Sequence, residues 1–211
     1  LALCRRLPDY TDRVRRDGWA RPADVGTVPS LASLTVGFAG FGRIAQALRD
    51  RLRPFGFTFV AYDPFPAASP GDDVEFVDLQ TLARRSNVVS LHAPSTEATK
   101  GMVDARFLAL LPPGAIVVNT ARGSLVDTED LAAAIAAGTL AGAALDVTDP
   151  EPLPADSPLR AMANVILTPH AGFYDEASLD RLQRLVSEEA GRALRGEPLR
   201  CPVNRPEGRP R

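Results

Sequence analysis

The run Val36-Gly37-Phe38-Ala39-Gly40-Phe41-Gly42-Arg43-Ile44-Ala45 restricts what this chain can fold into more than any other stretch. Apolar residues suited to a strand lead into a glycine turn, and a helix-forming segment leaves it. A second apolar run ends at Tyr62-Asp63-Pro64, which puts Asp63 23 positions after Gly40. Strand, glycine turn, helix, strand and acid at this spacing predict a parallel βαβ unit of the dinucleotide-binding kind. Gly40 permits the tight turn. Gly42, without a Cβ, lets the backbone approach a pyrophosphate, and Ala45 is small enough for close helix-on-strand packing. The helix start offers unpaired N–H groups to phosphate oxygens. Asp63 is placed to accept hydrogen bonds from ribose hydroxyls and to repel a 2′-phosphate, which favours NAD over NADP.

The rest of the chain extends the same alternation. Strands are expected over Leu34–Ala39, Phe57–Tyr62, Val74–Val77 (a short edge), Asn87–His92, Ala115–Asn119, Leu140–Val147 and Val165–Leu167. Helices are expected over Leu1–Val14, Gly42–Phe55, Asp78–Arg85, Asp104–Leu111, Asp127–Ala137 and Glu176–Arg195. Asp78 reads as an N-cap, Pro112-Pro113-Gly114 and Gly138 as stops. Pro and Gly mark Asp17–Pro29 as a loop and Pro64–Asp73 as a turn region. The strands are continuous apolar runs, the mark of strands covered on both faces. The expected fold class is therefore α/β, a doubly wound parallel sheet.

Composition narrows the partners. Of 211 residues, 45% are apolar and 24% charged, with a net charge of −2. That balance gives no reason to expect nucleic acid or an anionic membrane as a partner, and no apolar run is long enough to span a bilayer. Cys4 and Cys201 form neither a metal-ligand spacing nor a disulfide framework, so reduced thiols in a cytoplasmic protein and no metal site are expected.

In such a sheet ligands bind beyond the carboxyl ends of the strands. The segments there are Gly40–Arg43, Asp63, His92-Ala93-Pro94, Asn119-Thr120-Ala121-Arg122-Gly123, Asp146, Glu151 and Thr168-Pro169-His170. Of the two histidines, His170 is favoured for chemistry because a carboxylate upstream can orient it. Arg122 follows a buried strand, so its fork can reach a bound carboxylate.

These motifs together resemble the D-isomer-specific 2-hydroxyacid dehydrogenase family, specifically its Rossmann-like NAD-binding domain. The likeness runs from about Leu34 to Glu176. Gly40–Ala45, Tyr62-Asp63-Pro64, Asn119–Asp127, Ala144–Val147, Glu151-Pro152-Leu153 and Thr168-Pro169-His170 carry it. The resemblance implies Arg122 as the substrate-binding arginine, His170 as the acid/base and Glu151 as its partner. It implies cofactor contacts at Gly40, Phe41, Gly42, Arg43, Ile44, Asp63, Ala93, Pro94, Thr99, Thr120, Ala121, Arg122, Asp146 and His170 to Gly172. The implied cofactor is NAD, the implied substrate a small 2-oxo or 2-hydroxy acid, and the implied assembly a homodimer through this domain. Formate dehydrogenases of the same superfamily carry glutamine as the histidine's partner, so Glu151 points to a hydroxyacid.

The same resemblance divides the chain into residues 1–30, a helix and linker from a substrate domain, residues 31–174, the NAD-binding domain, and residues 175–204, a helix returning to the substrate domain. A polar tail, 205–211, is expected to be disordered. Most of a substrate domain is missing from the chain, which suggests a truncated sequence and, in that form, a domain that binds NAD with little turnover. The segment from Thr168 to Ser178 is also similar to the C-terminal-binding-protein corepressors, which carry tryptophan where this chain has Phe173. A partner-binding, NAD-sensing role is therefore the alternative.

Overall fold

A computed structural model describes residues 1–66, 71, 73–200 and 202. The expectations for Cys201, for residues 203–204 and for the tail 205–211 lie outside the described residues, as does part of the turn region after Pro66. The chain forms two compact units, Leu1–His170 and Ala171–Arg211.

The first unit is built on seven strands: β1 (Thr35–Ala39), β2 (Thr58–Tyr62), β3 (Val74–Phe76), β4 (Val88–Leu91), β5 (Ala115–Asn119), β6 (Leu140–Leu145) and β7 (Val165–Leu167). They lie in the order β3-β2-β1-β4-β5-β6-β7, and every pairing is parallel. The chain thus winds outward from β1 in one direction, then from β4 in the other. The crevice between β1 and β4 is the switch point, where the carboxyl ends of two strands part to admit a ligand. Val74–Phe76 is the edge, as expected.

Around the sheet lie α1 (Leu7–Asp17), α2 (Arg43–Leu52), α3 (Leu79–Arg85), α4 (Ala105–Leu108) and α5 (Thr128–Ala136). Asp78, Asp104 and Asp127 cap α3, α4 and α5 by accepting backbone N–H groups of the first turn, which offsets donors that a helix start leaves open. Two apolar clusters fill the space. One joins Val60, Leu82, Leu91, Val117, Leu131 and Leu145, the other Phe38, Phe41, Phe59 and Ile116.

The departures from expectation have local causes. The first helix starts at Leu7 and not Leu1, because Pro8 sits in its first turn, where a missing N–H costs nothing. Leu3 and Cys4 ahead of it are buried in the cluster with Leu34 and Phe57. Residues 1–30 fall in the same compact unit as the sheet. The helix expected over Asp104–Leu111 is α-helical only to Leu108, and Leu110 and Leu111 close 3-10-type bonds to Phe107 and Leu108. Pro112 and Pro113 supply no N–H to extend it. β6 ends at Leu145, two residues early, because Asp146 and Val147 turn into the loop that carries Glu151.

The second unit contains α6 (Glu176–Leu194), capped by Asp175 and ended at Gly196 with φ +69°. No helix among the described residues is long and apolar enough to cross a membrane.

Candidate active site and cofactor cleft

The glycine turn is held from two sides. Gly40 donates to the Tyr62 carbonyl at 2.8 Å, and His92 donates to the Ala39 carbonyl at 2.8 Å, so the ends of β2 and β4 bracket it. Gly40 has φ +90°, and a Cβ on it would lie 2.7 Å from the Ala93 nitrogen and 2.8 Å from the His92 carbonyl carbon. Glycine is required there by both backbone and packing. Gly42 is the opposite case. Its φ of −78° suits any residue, and a Cβ would meet nothing within 4 Å. The protein supplies no reason for glycine at 42, whereas a group resting on the turn would. Gly42 is also the N-cap of α2, and no side chain caps that helix. Open space above a bare turn and an uncapped ten-residue helix fit a pyrophosphate. The residues present therefore suit the cofactor that the motif implies.

Asp63 is engaged differently from the simplest expectation. Its Oδ2 accepts the Phe41 N–H at 2.9 Å and its Oδ1 accepts the Phe65 N–H at 2.9 Å. The acid at the end of β2 thus fixes the glycine turn. Phe41 is buried between Phe38 and Phe76, and its N–H and C=O bond to Asp63 and Gln46. Its ring packs in the core while its main chain helps hold the turn. Ile44, by contrast, is 74% exposed at the helix start.

A cleft of about 470 Å³ across the switch point is lined by Ile44, His92, Ala93, Pro94, Ser95, Thr120, Ala121 and Arg122. Thr99 stands behind its rim: the hydroxyl donates to the Pro94 carbonyl at 2.6 Å and accepts the Thr96 N–H at 2.9 Å, tying the loop together. Asn119, fully buried at the end of β5, does the same on the opposite wall. Its Nδ2 donates to the Arg122 carbonyl at 2.9 Å and its Oδ1 accepts the Ala121 N–H at 3.0 Å. Gly123 lets this loop meet the next one, since a Cβ there would collide with the Thr148 carbonyl. The Arg122 guanidinium is exposed and donates to the Ala121 carbonyl at 2.6 Å.

A second cleft, of about 720 Å³, contains Asp146, Thr148, Glu151, Leu153, Arg160, Thr168 and His170. His170 Nδ1 lies 2.8 Å from Glu151 Oε1, and both side chains are nearly half exposed. A contact so exposed adds little stability. His170 also has φ +53°, one of two non-glycine residues with positive φ among the described residues. Such a conformation costs about 1–3 kcal/mol and persists where surroundings enforce it, characteristically at functional sites. Here the His170 N–H donates to the carbonyls of Asp146 at 2.8 Å and Thr168 at 3.1 Å.

The structure brings Glu151 and His170 into contact, while Arg122 lines the neighbouring cleft. Sheet register relates the three. Asn119, Leu145 and Leu167 are partners across β5, β6 and β7. Arg122 and His170 each stand three residues beyond strand ends two strands apart, a lateral offset of about 10 Å. Gly172 belongs to the second unit.

His92 is excluded as the acid. Burial pushes its imidazole down to about 4, and its Nε2 is 2.9 Å from Ser90 Oγ. A ring that is not imidazolium at neutral pH, and whose Nε2 is taken up by Ser90, is poorly suited to act as the acid. Unfolding exposes this ring and returns it to its ordinary value near 6.5. Between these values the unfolded chain binds the extra proton, so stability falls as pH drops from 6.5 toward 4, by on the order of 3 kcal/mol. Denaturant unfolding across that range should show the slope, and His92→Asn should remove it.

Among the described residues no group of three or more His, Cys, Asp or Glu side chains is arranged to hold a metal. The sequence profile of the D-isomer specific 2-hydroxyacid dehydrogenase NAD-binding domain matches residues 1–172. The D-3-phosphoglycerate dehydrogenase of Mycobacterium tuberculosis is 40% identical over 206 residues, which are 97% of this chain and 38% of that protein. The human glyoxylate reductase/hydroxypyruvate reductase is 35% identical over 203 residues, 94% of this chain and 62% of that protein. The crystal structure of Lactobacillus jensenii D-lactate dehydrogenase with NAD+ superposes with a TM-score of 0.89 at 26% identity, covering 97% of this chain and 65% of that one. The chain thus spans less than two thirds of the length of each of these relatives. With the parallel sheet, the open glycine turn and the His170–Glu151 pair in place, it belongs to the D-isomer specific 2-hydroxyacid dehydrogenase family, as the NAD-binding domain.

Proposed function

We propose that the protein carrying this chain transfers a hydride between NAD(H) and a small 2-hydroxy or 2-oxo acid. The observation that carries this reading is the half-exposed His170–Glu151 pair, at the same sheet edge as the glycine turn. Gly40, Gly42, Arg43, Ile44 and Asp63 are assigned to the dinucleotide. Ala93, Pro94, Thr120 and Ala121 line its continuation toward Arg122. The nicotinamide, when bound, supplies hydride in reduction and accepts it in oxidation.

Arg122 binds the substrate carboxylate through the N–H groups that Ala121 does not occupy. His170 Nδ1 faces Glu151, so Nε2 is the atom that exchanges a proton with the substrate oxygen. In reduction the imidazolium gives its Nε2 proton to the carbonyl oxygen as the alcohol forms. The Glu151 carboxylate holds Nδ1–H throughout and balances the positive charge. In oxidation neutral His170 takes the hydroxyl proton at Nε2.

The relatives named above are dehydrogenases and a reductase, which supports this reading over the corepressor alternative. NADH oxidation against a panel of 2-oxo acids tests it. Steady turnover with at least one acid is expected, whereas NADH binding and peptide capture without turnover would favour the alternative. Homodimerisation through this domain and a cytoplasmic location complete the proposal, the first checked by sedimentation.

Asp63 predicts the cofactor form. NADPH should bind about two orders of magnitude more weakly than NADH, since like charges brought together cost several kcal/mol. Asp63→Ser should narrow the gap, and because Asp63 holds the Phe41 N–H, it should also speed amide exchange at Phe41. Equal affinities in the wild type would count against the assignment.

A further inference from the structure

We infer that Thr168 is a positioning residue that couples the buried Asp146 carboxylate to the acid/base histidine. Asp146 follows β6 directly and is only 8% exposed. Its Oδ1 accepts a hydrogen bond from the Thr168 hydroxyl, at the end of β7. The backbones are stitched by the same residues: the Thr168 N–H donates to the Leu145 carbonyl at 3.0 Å, and the His170 N–H donates to the carbonyls of Asp146 and Thr168. Asp146 therefore meets the segment after β7 twice, through its side chain at Thr168 and through its carbonyl at His170.

A geometric consequence follows from the φ of +53° at His170. Pro169 has no N–H and cannot help hold the turn. The left-handed residue is retained by its own N–H and by whatever keeps the Asp146 carbonyl in place. The Thr168 hydroxyl contributes to that at Asp146, since turning the buried carboxyl away would give up the hydrogen bond that ties it to the residue after β7, and a hydrogen bond lost by a buried polar group is costly. One hydroxyl thus sets two groups: Asp146, beside the cleft that holds the acid/base pair, and the backbone from which the imidazole projects. Serine at 168 would keep this bond, and valine, of nearly the same shape, would remove it alone.

The inference rests on the proposed hydride-transfer reading for its consequence in catalysis, but its structural core is testable without turnover. Amide hydrogen exchange and NADH binding are measured on the full chain for the wild type, Thr168→Val and Thr168→Ser. The expected results for Thr168→Val are faster exchange at His170 by tenfold or more and NADH affinity about tenfold weaker. Thr168→Ser should stay within twofold of the wild type in both. Wild-type exchange at His170 in Thr168→Val, or loss in Thr168→Ser equal to that in Thr168→Val, would overturn the inference. Should Thr168→Val not fold, Asp146→Asn, which weakens the same bond, must reproduce the faster exchange at His170. Absence of turnover in the wild type with every 2-oxo acid would instead reject the hydride-transfer reading, leaving the exchange result to decide on Thr168.

Discussion

His170→Gln should lower turnover by about 10²–10⁴-fold, the usual contribution of a positioned acid or base, while changing NADH affinity by less than threefold. Glutamine keeps a polar side chain of comparable reach, and its amide can still meet Glu151, so the loop should survive. What it lacks is a proton that can leave at Nε2. The split between kcat and cofactor affinity matters, because the φ of +53° at His170 makes the site sensitive to distortion. A distorted loop would weaken NADH binding as well, whereas a missing acid would not. Glu151→Gln should fall in the same direction and less far, since an amide can still orient Nδ1 but cannot balance an imidazolium. Kinetics at saturating NADH with fluorescence titration of the cofactor distinguish these outcomes. Near-normal turnover in His170→Gln would remove the histidine from the chemistry.

The two turn glycines should separate stability from binding. Gly40→Ala places a Cβ against the His92 and Ala93 backbones at a φ of +90°. Strain at such a φ alone costs about 1–3 kcal/mol, and overlap with main chain cannot relax by moving a side chain. A loss of at least about 3 kcal/mol is expected in denaturant unfolding. Gly42→Val enters open space at a φ of −78°. Its cost should stay near the 1 kcal/mol typical of a poor N-cap. NADH affinity, however, should fall by about a hundredfold or more, because the methyl groups occupy the volume over the helix start, where a pyrophosphate approaches the backbone. A Gly42→Val protein that binds NADH normally would mean that the turn is not the cofactor cradle.

Much of this site was legible because the chemistry and the fold use the same punctuation. Strand ends, caps and glycines mark where side chains reach the ligand edge, so Gly40, Asp63, Arg122 and His170 stand out by position, whereas Glu151, in a Pro-rich loop, reads as an exposed glutamate until the family resemblance pairs it with His170. The parallel order followed from uninterrupted apolar runs, which only a sheet covered on both faces can hide. What remained hidden were pairings between residues distant in sequence. Sequence spacing explains Gly40 by the turn, but the approach of His92 and Ala93 depends on β4 lying beside β1. Asp63 read as a ribose acceptor, while its bonds to Phe41 and Phe65 depend on how the β2 end curls. Asn119 and Thr168 lay within recognised motifs, yet their work is to hold neighbouring loops, which only register reveals. Helix ends shifted where proline changed the count of available N–H groups, at Pro8 and Pro112.

The most direct test of the central claim is isotope transfer. The protein that carries this chain is incubated with a panel of 2-oxo acids and NADH deuterated at the transferring position, and the products are analysed. The account predicts a D-2-hydroxy acid bearing one deuterium at C2, formed by the wild type and lost in His170→Gln. NADH bound with normal affinity and no deuterated hydroxy acid from any 2-oxo acid would contradict it.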